Sequence, residues 1–77
     1  MTYWQGMNEG VPQPISYMSG CKVAWYTFRT VKEAEIAAKW ARSEAARKEA
    51  LGYDFGWCTP GEISKNHKKR RYTVTFP

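Results

Sequence analysis

Seventy-seven residues of 8.9 kDa leave room for one small hydrophobic core, and 16% aromatic with 25% charged residues suits a folded domain rather than a disordered tail. The formal charge of +5 comes from twelve Lys and Arg against seven Asp and Glu, and Lys65, Lys68, Lys69, Arg70 and Arg71 crowd into one acid-free window. The rest of the chain is balanced, which excludes a uniformly basic, histone-like protein and an acidic mimic of DNA.

In chain order, residues 1–14 carry Gly6, Gly10, Pro12 and Pro14 and are expected to be largely irregular, with Thr2-Tyr3-Trp4 a short edge strand or an aromatic anchor. Ile15-Ser16-Tyr17-Met18 and Cys21 to Phe28 are strand-like runs joined by Ser19-Gly20, so a two-residue hairpin turn with glycine at positive φ is expected there. The second run has aromatics on both faces and suits a central strand.

Thr30-Val31-Lys32-Glu33 is a capping box, good helix formers continue to Leu51, and Gly52 follows at a C-terminal capping position. Ala34, Ala37, Ala38, Ala41 and Ala45 form one stripe at helical spacing. Glu35–Lys39 and Glu44–Lys48 are favourable i,i+4 pairs on the outer side. After an aromatic, glycine-rich connection, Glu62-Ile63-Ser64 and Arg71 to Phe76 read as strands flanking the basic window, the tip of a second hairpin. The expected fold is one small α+β domain: an antiparallel sheet of about four strands with one long helix on one face, in the order ββ-α-ββ. The opposite sheet face is then solvated or open to a partner.

No apolar run approaches the ~20 residues of a membrane span, and the Met1-Thr2-Tyr3-Trp4 start lacks the basic and apolar regions of a signal peptide, so a cytoplasmic protein is expected. Cys21, Cys58 and His67 lack metal-ligand spacing, and no metal or cofactor is expected. The two thiols read as reduced, with a Cys21–Cys58 disulfide as the alternative. Catalysis is not expected, because the acids are dispersed and His67 lies in a loop tip. Asp54-Phe55-Gly56 matches the kinase metal-binding triplet, but no other kinase motif accompanies it.

Two groups are candidates for contact. Lys65, His67, Lys68, Lys69, Arg70 and Arg71 form a cationic tip suited to phosphates or to an acidic protein surface. A solvated loop that blunts an edge strand is the plainer reading. Tyr3, Trp4, Tyr53, Phe55 and Trp57 lie in irregular segments and are candidate interface aromatics.

Over Gly52-Tyr53-Asp54-Phe55-Gly56-Trp57-Cys58-Thr59-Pro60-Gly61-Glu62-Ile63 and Tyr72-Thr73-Val74-Thr75-Phe76-Pro77, with the Thr-capped alanine-rich helix and the short length, the chain resembles small accessory proteins of bacteriophages. That group includes anti-CRISPR proteins and other inhibitors of host enzymes. The resemblance implies a non-catalytic viral protein in the host cytoplasm, inhibiting or modulating a host nucleic-acid-handling complex such as a CRISPR–Cas effector. It carries over no site residues, and the basic cluster departs from the acidic DNA mimics of the group. Two alternatives stand beside it: a direct DNA- or RNA-binding protein using the basic tip, and a structural or oligomeric phage component pairing through its open sheet face or an edge strand.

Overall fold

A computed structural model of the chain describes residues 10–20 and 22–77. Strands β1 (Ser16–Ser19) and β2 (Ala24–Phe28) lead into helix α1 (Val31–Ala50), followed by β3 (Ile63–Asn66) and β4 (Arg71–Phe76). The strands form one antiparallel sheet in the order β1-β2-β4-β3, so the two strands richest in apolar residues are central. The fold is therefore α+β, with α1 lying mainly over β4 and more lightly over β2 and β3. The helix has no comparable packing with β1.

Local chemistry sets the helix ends. The Thr30 hydroxyl accepts from the Glu33 N–H at 3.1 Å, and the Glu33 carboxylate accepts from that same hydroxyl at 3.3 Å. At the other end the Gly52 N–H donates to the Glu49 carbonyl and the Tyr53 N–H to the Lys48 carbonyl, both at 3.0 Å. This pair of hydrogen bonds closes the helix, and it needs the left-handed backbone that Gly52 supplies at φ 94°. On the outer face, the ion pair that forms is Glu44–Arg47 at 2.7 Å rather than Glu44–Lys48. Lys48 instead places its Nζ over the Tyr53 ring.

Strand alternation sorts the sheet into two faces. Phe28, Tyr72, Val74 and Phe76 point to the helix and are buried against Ala34, Ala37, Ala38 and Ala41. Alanines keep α1 close to the sheet, while Phe28 and Val74 fill the space beneath with no exposed surface. Tyr26 and Trp40 flank this core, with Phe76 edge-on to Tyr26 at 4.8 Å and tilted to Trp40 at 5.6 Å. A smaller cluster of Val23, Ala45 and Phe55, joined by Trp25 and Cys58, closes the end nearest the helix C-terminus.

Three details differ from sequence expectation. The first hairpin is not a two-residue Ser19-Gly20 turn: β2 begins at Ala24, and the Gly20 N–H donates to the Val23 carbonyl at 2.8 Å across the wider connection. Gly20 has no positive φ. Its lack of a side chain is needed because a Cβ there would come within 2.9 Å of the Trp25 ring. Secondly, Val11 is only 5% exposed and plugs the main core, although its segment is otherwise irregular. Thirdly, β3 runs on to Asn66, so the tip of the second hairpin is the turn over residues 67–70. The proposed strand or anchor at Thr2-Tyr3-Trp4 lies outside the described residues, as does Cys21. Cys58 is a half-buried free thiol.

Among the described residues, no helix is long and apolar enough to cross a membrane.

Candidate polyanion-binding turn and the open sheet face

The β3–β4 turn is held by short-range bonds. The Asn66 side-chain oxygen accepts from the Lys69 N–H at 3.2 Å, and the His67 carbonyl accepts from the Arg70 N–H at 3.3 Å. Asparagine is suited to such turns because its amide can replace a backbone acceptor. His67 Nδ1 lies 3.2 Å from the Tyr72 hydroxyl, and the two rings meet edge to face. Tyr72 is a core residue, so this contact ties the turn to the main core. The Arg71 guanidinium donates through Nη1 to the Lys69 and Arg70 carbonyls at 3.2 and 3.1 Å. Arg71 thus closes the turn while its other N–H groups remain on an exposed side chain.

The six residues predicted as one contact group are divided by this geometry. Lys65 sits on the helix-facing side of β3 and lines a groove with Glu35, Lys39 and Arg42. His67 serves the turn through Tyr72. Lys68, Lys69 and Arg70 are exposed at the tip, and Arg71 begins β4 on the face away from the helix. Among the described residues, none of these cations has a carboxylate within ion-pairing distance.

Arg70 carries a backbone cost. Its φ of 53° lies in the left-handed region, where a side chain costs roughly 1–2 kcal/mol relative to glycine. Arg70→Gly is therefore expected to raise stability by about 0.5–1 kcal/mol after the entropy cost of glycine, or several degrees in a thermal melt. A lower melting temperature would show that the arginine side chain itself holds the turn.

The candidate aromatics also separate. Trp57 is 92% exposed and Tyr53 is 60% exposed. Phe55 is not a surface residue: at 6% exposed it belongs to the smaller core cluster. The reason is local, since the Asp54 carboxylate accepts from the Gly56 N–H at 2.8 Å, and this tight turn directs Phe55 inward. Asp54-Phe55-Gly56 thus leads into the turn at residues 56–57, which the Cys58 N–H closes by donating to the Phe55 carbonyl at 3.2 Å. Tyr3 and Trp4 lie outside the described residues. Trp57 is not beside the cationic turn. It borders a hollow with Trp25 and Thr75, about four residues or ~13 Å along β4 from Arg71.

The sequence leads us to expect an open sheet face between these two ends, but not which residues line it. Register places Ser16, Met18, Trp25, Thr27, Ser64, Asn66, Arg71, Thr73 and Thr75 together, opposite the helix. Thr27 and Thr73 are joined through their hydroxyls at 3.0 Å. None of the four strands contains an Asp or Glu, while Glu33, Glu35, Glu44 and Glu49 all lie on α1 in the other layer. The charge asymmetry was present in the composition of the strands, but only pairing shows that it makes one face. Among the described residues, no three His, Cys, Asp or Glu side chains gather to hold a metal ion.

No protein-family model matches the chain, and no curated protein or solved structure matches it either. The class the fold defines is an α+β domain with an acid-free sheet face ending in a cationic turn.

Proposed function

We propose that this is a small non-catalytic binding protein that inhibits or modulates a nucleic-acid-handling complex, docking through its β3–β4 turn. The observation that carries this reading is the exposure of Lys68, Lys69, Arg70 and Arg71 on an internally bonded turn with no carboxylate partner among the described residues. Like charges held this close repel, and a polyanionic partner removes that repulsion. Arg70 occupies a position where glycine would fit with less strain, so stability alone does not account for an arginine there. The resemblance to phage inhibitors makes a CRISPR–Cas effector the target class to test first, with the chain acting in the host cell cytoplasm as a phage product.

The test is retention of a nucleoprotein from host lysate by the tagged protein, followed by a target-cleavage assay with and without it. Retention and reduced cleavage are expected. The combined change Lys68→Gln, Lys69→Gln, Arg70→Gln and Arg71→Gln is expected to abolish both. Where the contact is to duplex phosphates, it should lower the slope of log affinity against log salt by roughly 3.6. Absence of any retained nucleoprotein and unchanged cleavage would rule the reading out.

A further inference from the structure

We propose that the helix-free face of the sheet binds single-stranded nucleic acid, with phosphates at the Lys68–Arg71 turn and a base stacked on Trp57. This deepens the reading of the turn as a polyanion contact and rests on it.

Three features of the face point to this occupant. Its charge is one-sided: the strands contribute Arg71 and no acid, and the four helix acids lie on the opposite layer. Among the described residues, a polyanion can therefore cross the strands without meeting a carboxylate until Glu62, which borders the Trp57 hollow. Apart from Arg71 its floor is uncharged, with polar side chains beside the apolar Met18 and Trp25. The Ser16, Thr27, Ser64, Thr73 and Thr75 hydroxyls and the Asn66 amide can donate to and accept from base edges or sugars. Its far end carries an indole that the fold does not use: Trp57 is 92% exposed, over a hollow of about 320 Å³ bordered by Trp25, Thr59 and Thr75.

The spacing favours a single strand over a duplex. From Arg71 to Thr75 is about 13 Å along β4, so a strand held at the turn can bring a base within reach of Trp57. Stacking needs an exposed base face, which a single strand offers and a paired duplex hides. A groove-reading protein would instead need a projecting helix or ribbon with side chains aimed at base-pair edges. Here the helix is packed against the other side of the sheet.

Fluorescence anisotropy with a labelled twelve-nucleotide oligothymidine and a hairpin duplex of matching length tests this at 50 and 200 mM salt. The single strand is expected to bind at least tenfold tighter than the duplex. Trp57→Ala should weaken it about 5- to 100-fold. The melting temperature and the salt slope should stay unchanged. Ser64→Glu, an exposed change on the same face, should also weaken it, whereas Ile36→Glu on the outer helix side should not. Lys68→Gln with Lys69→Gln should lower the salt slope by about 1.4.

Equal binding of strand and duplex, insensitive to Trp57→Ala and Ser64→Glu, would overturn the face proposal and leave the turn as a phosphate contact. Binding of neither oligonucleotide would also overturn it. The lysate experiment then decides the docking reading separately, since a retained complex would preserve it.

Discussion

Phe28→Ala is expected to lower the melting temperature by about 15 °C or more and to leave a measurable unfolded fraction at room temperature. Phe28 has no exposed surface and lies where β2, β4 and the alanine stripe meet. Removing a buried phenyl costs about 3–5 kcal/mol, because the vacated space only partly collapses. A domain of this length has roughly 4–12 kcal/mol in total. The facing positions are Ala34, Ala37, Ala38 and Ala41, which are too small to move in and fill the void. Circular dichroism melts of the two proteins check this. A shift of under about 5 °C would mean that α1 does not rest on Phe28.

Gly61→Ala is the second large effect, with an expected loss of about 2–4 kcal/mol. Three constraints coincide at this residue. Its φ is 89°, as required at the third position of the turn Thr59-Pro60-Gly61-Glu62, which the Glu62 N–H closes by donating to the Thr59 carbonyl at 3.2 Å. Gly61 and Glu62 together oppose Thr75: the Gly61 N–H donates to the Thr75 carbonyl at 2.7 Å, and the Thr75 N–H donates to the Glu62 carbonyl at 3.1 Å. That is a bulge whose first residue must be left-handed, and it starts β3 in register. A Cβ would also strike the Arg42 side chain and lie 3.2 Å from the Ala38 carbonyl. Moving Arg42 aside would break its 3.1 Å bond to the Gly61 carbonyl. Gly52→Ala is a useful comparison, since that glycine has positive φ but open space around it, so only the backbone cost applies. Similar losses at the two positions would show that the approach of Arg42 and Ala38 does not matter.

These two residues were legible in the sequence to different degrees. Phe28 stood in a strand-like run, yet alternation alone could not say which face met the helix. Both faces carry aromatics, and register with Tyr72 decides the matter. Gly61 was visible as part of a Pro-Gly turn, but its contact with Arg42 joins positions far apart in the chain. The helix was read closely because its signals are local: the Thr30–Glu33 cap, the alanine spacing and Gly52. Val11 was not readable, since one valine between Gly10 and Pro12 has no period to reveal it. Phe55 was misplaced for the same reason, because the Asp54–Gly56 bond that turns it inward depends on loop geometry.

The charge cluster shows the same division. Local composition determined that the net charge lies between Lys65 and Arg71, and that a hairpin joins the last two strands. Short-range preferences need no partner from elsewhere in the chain, so they survive in one dimension. Only tertiary structure decided that Lys65 faces the helix side, that His67 anchors the turn on Tyr72, and that Arg71 opens a face whose strands carry no acid and which ends at the hollow of Trp57 and Glu62. Those facts depend on strand order and register, which are set by burying Phe28, Val74 and Phe76 under one alanine stripe. A shift of one residue in any strand would exchange its faces, and the strand face without acids exists only because the core selected this register.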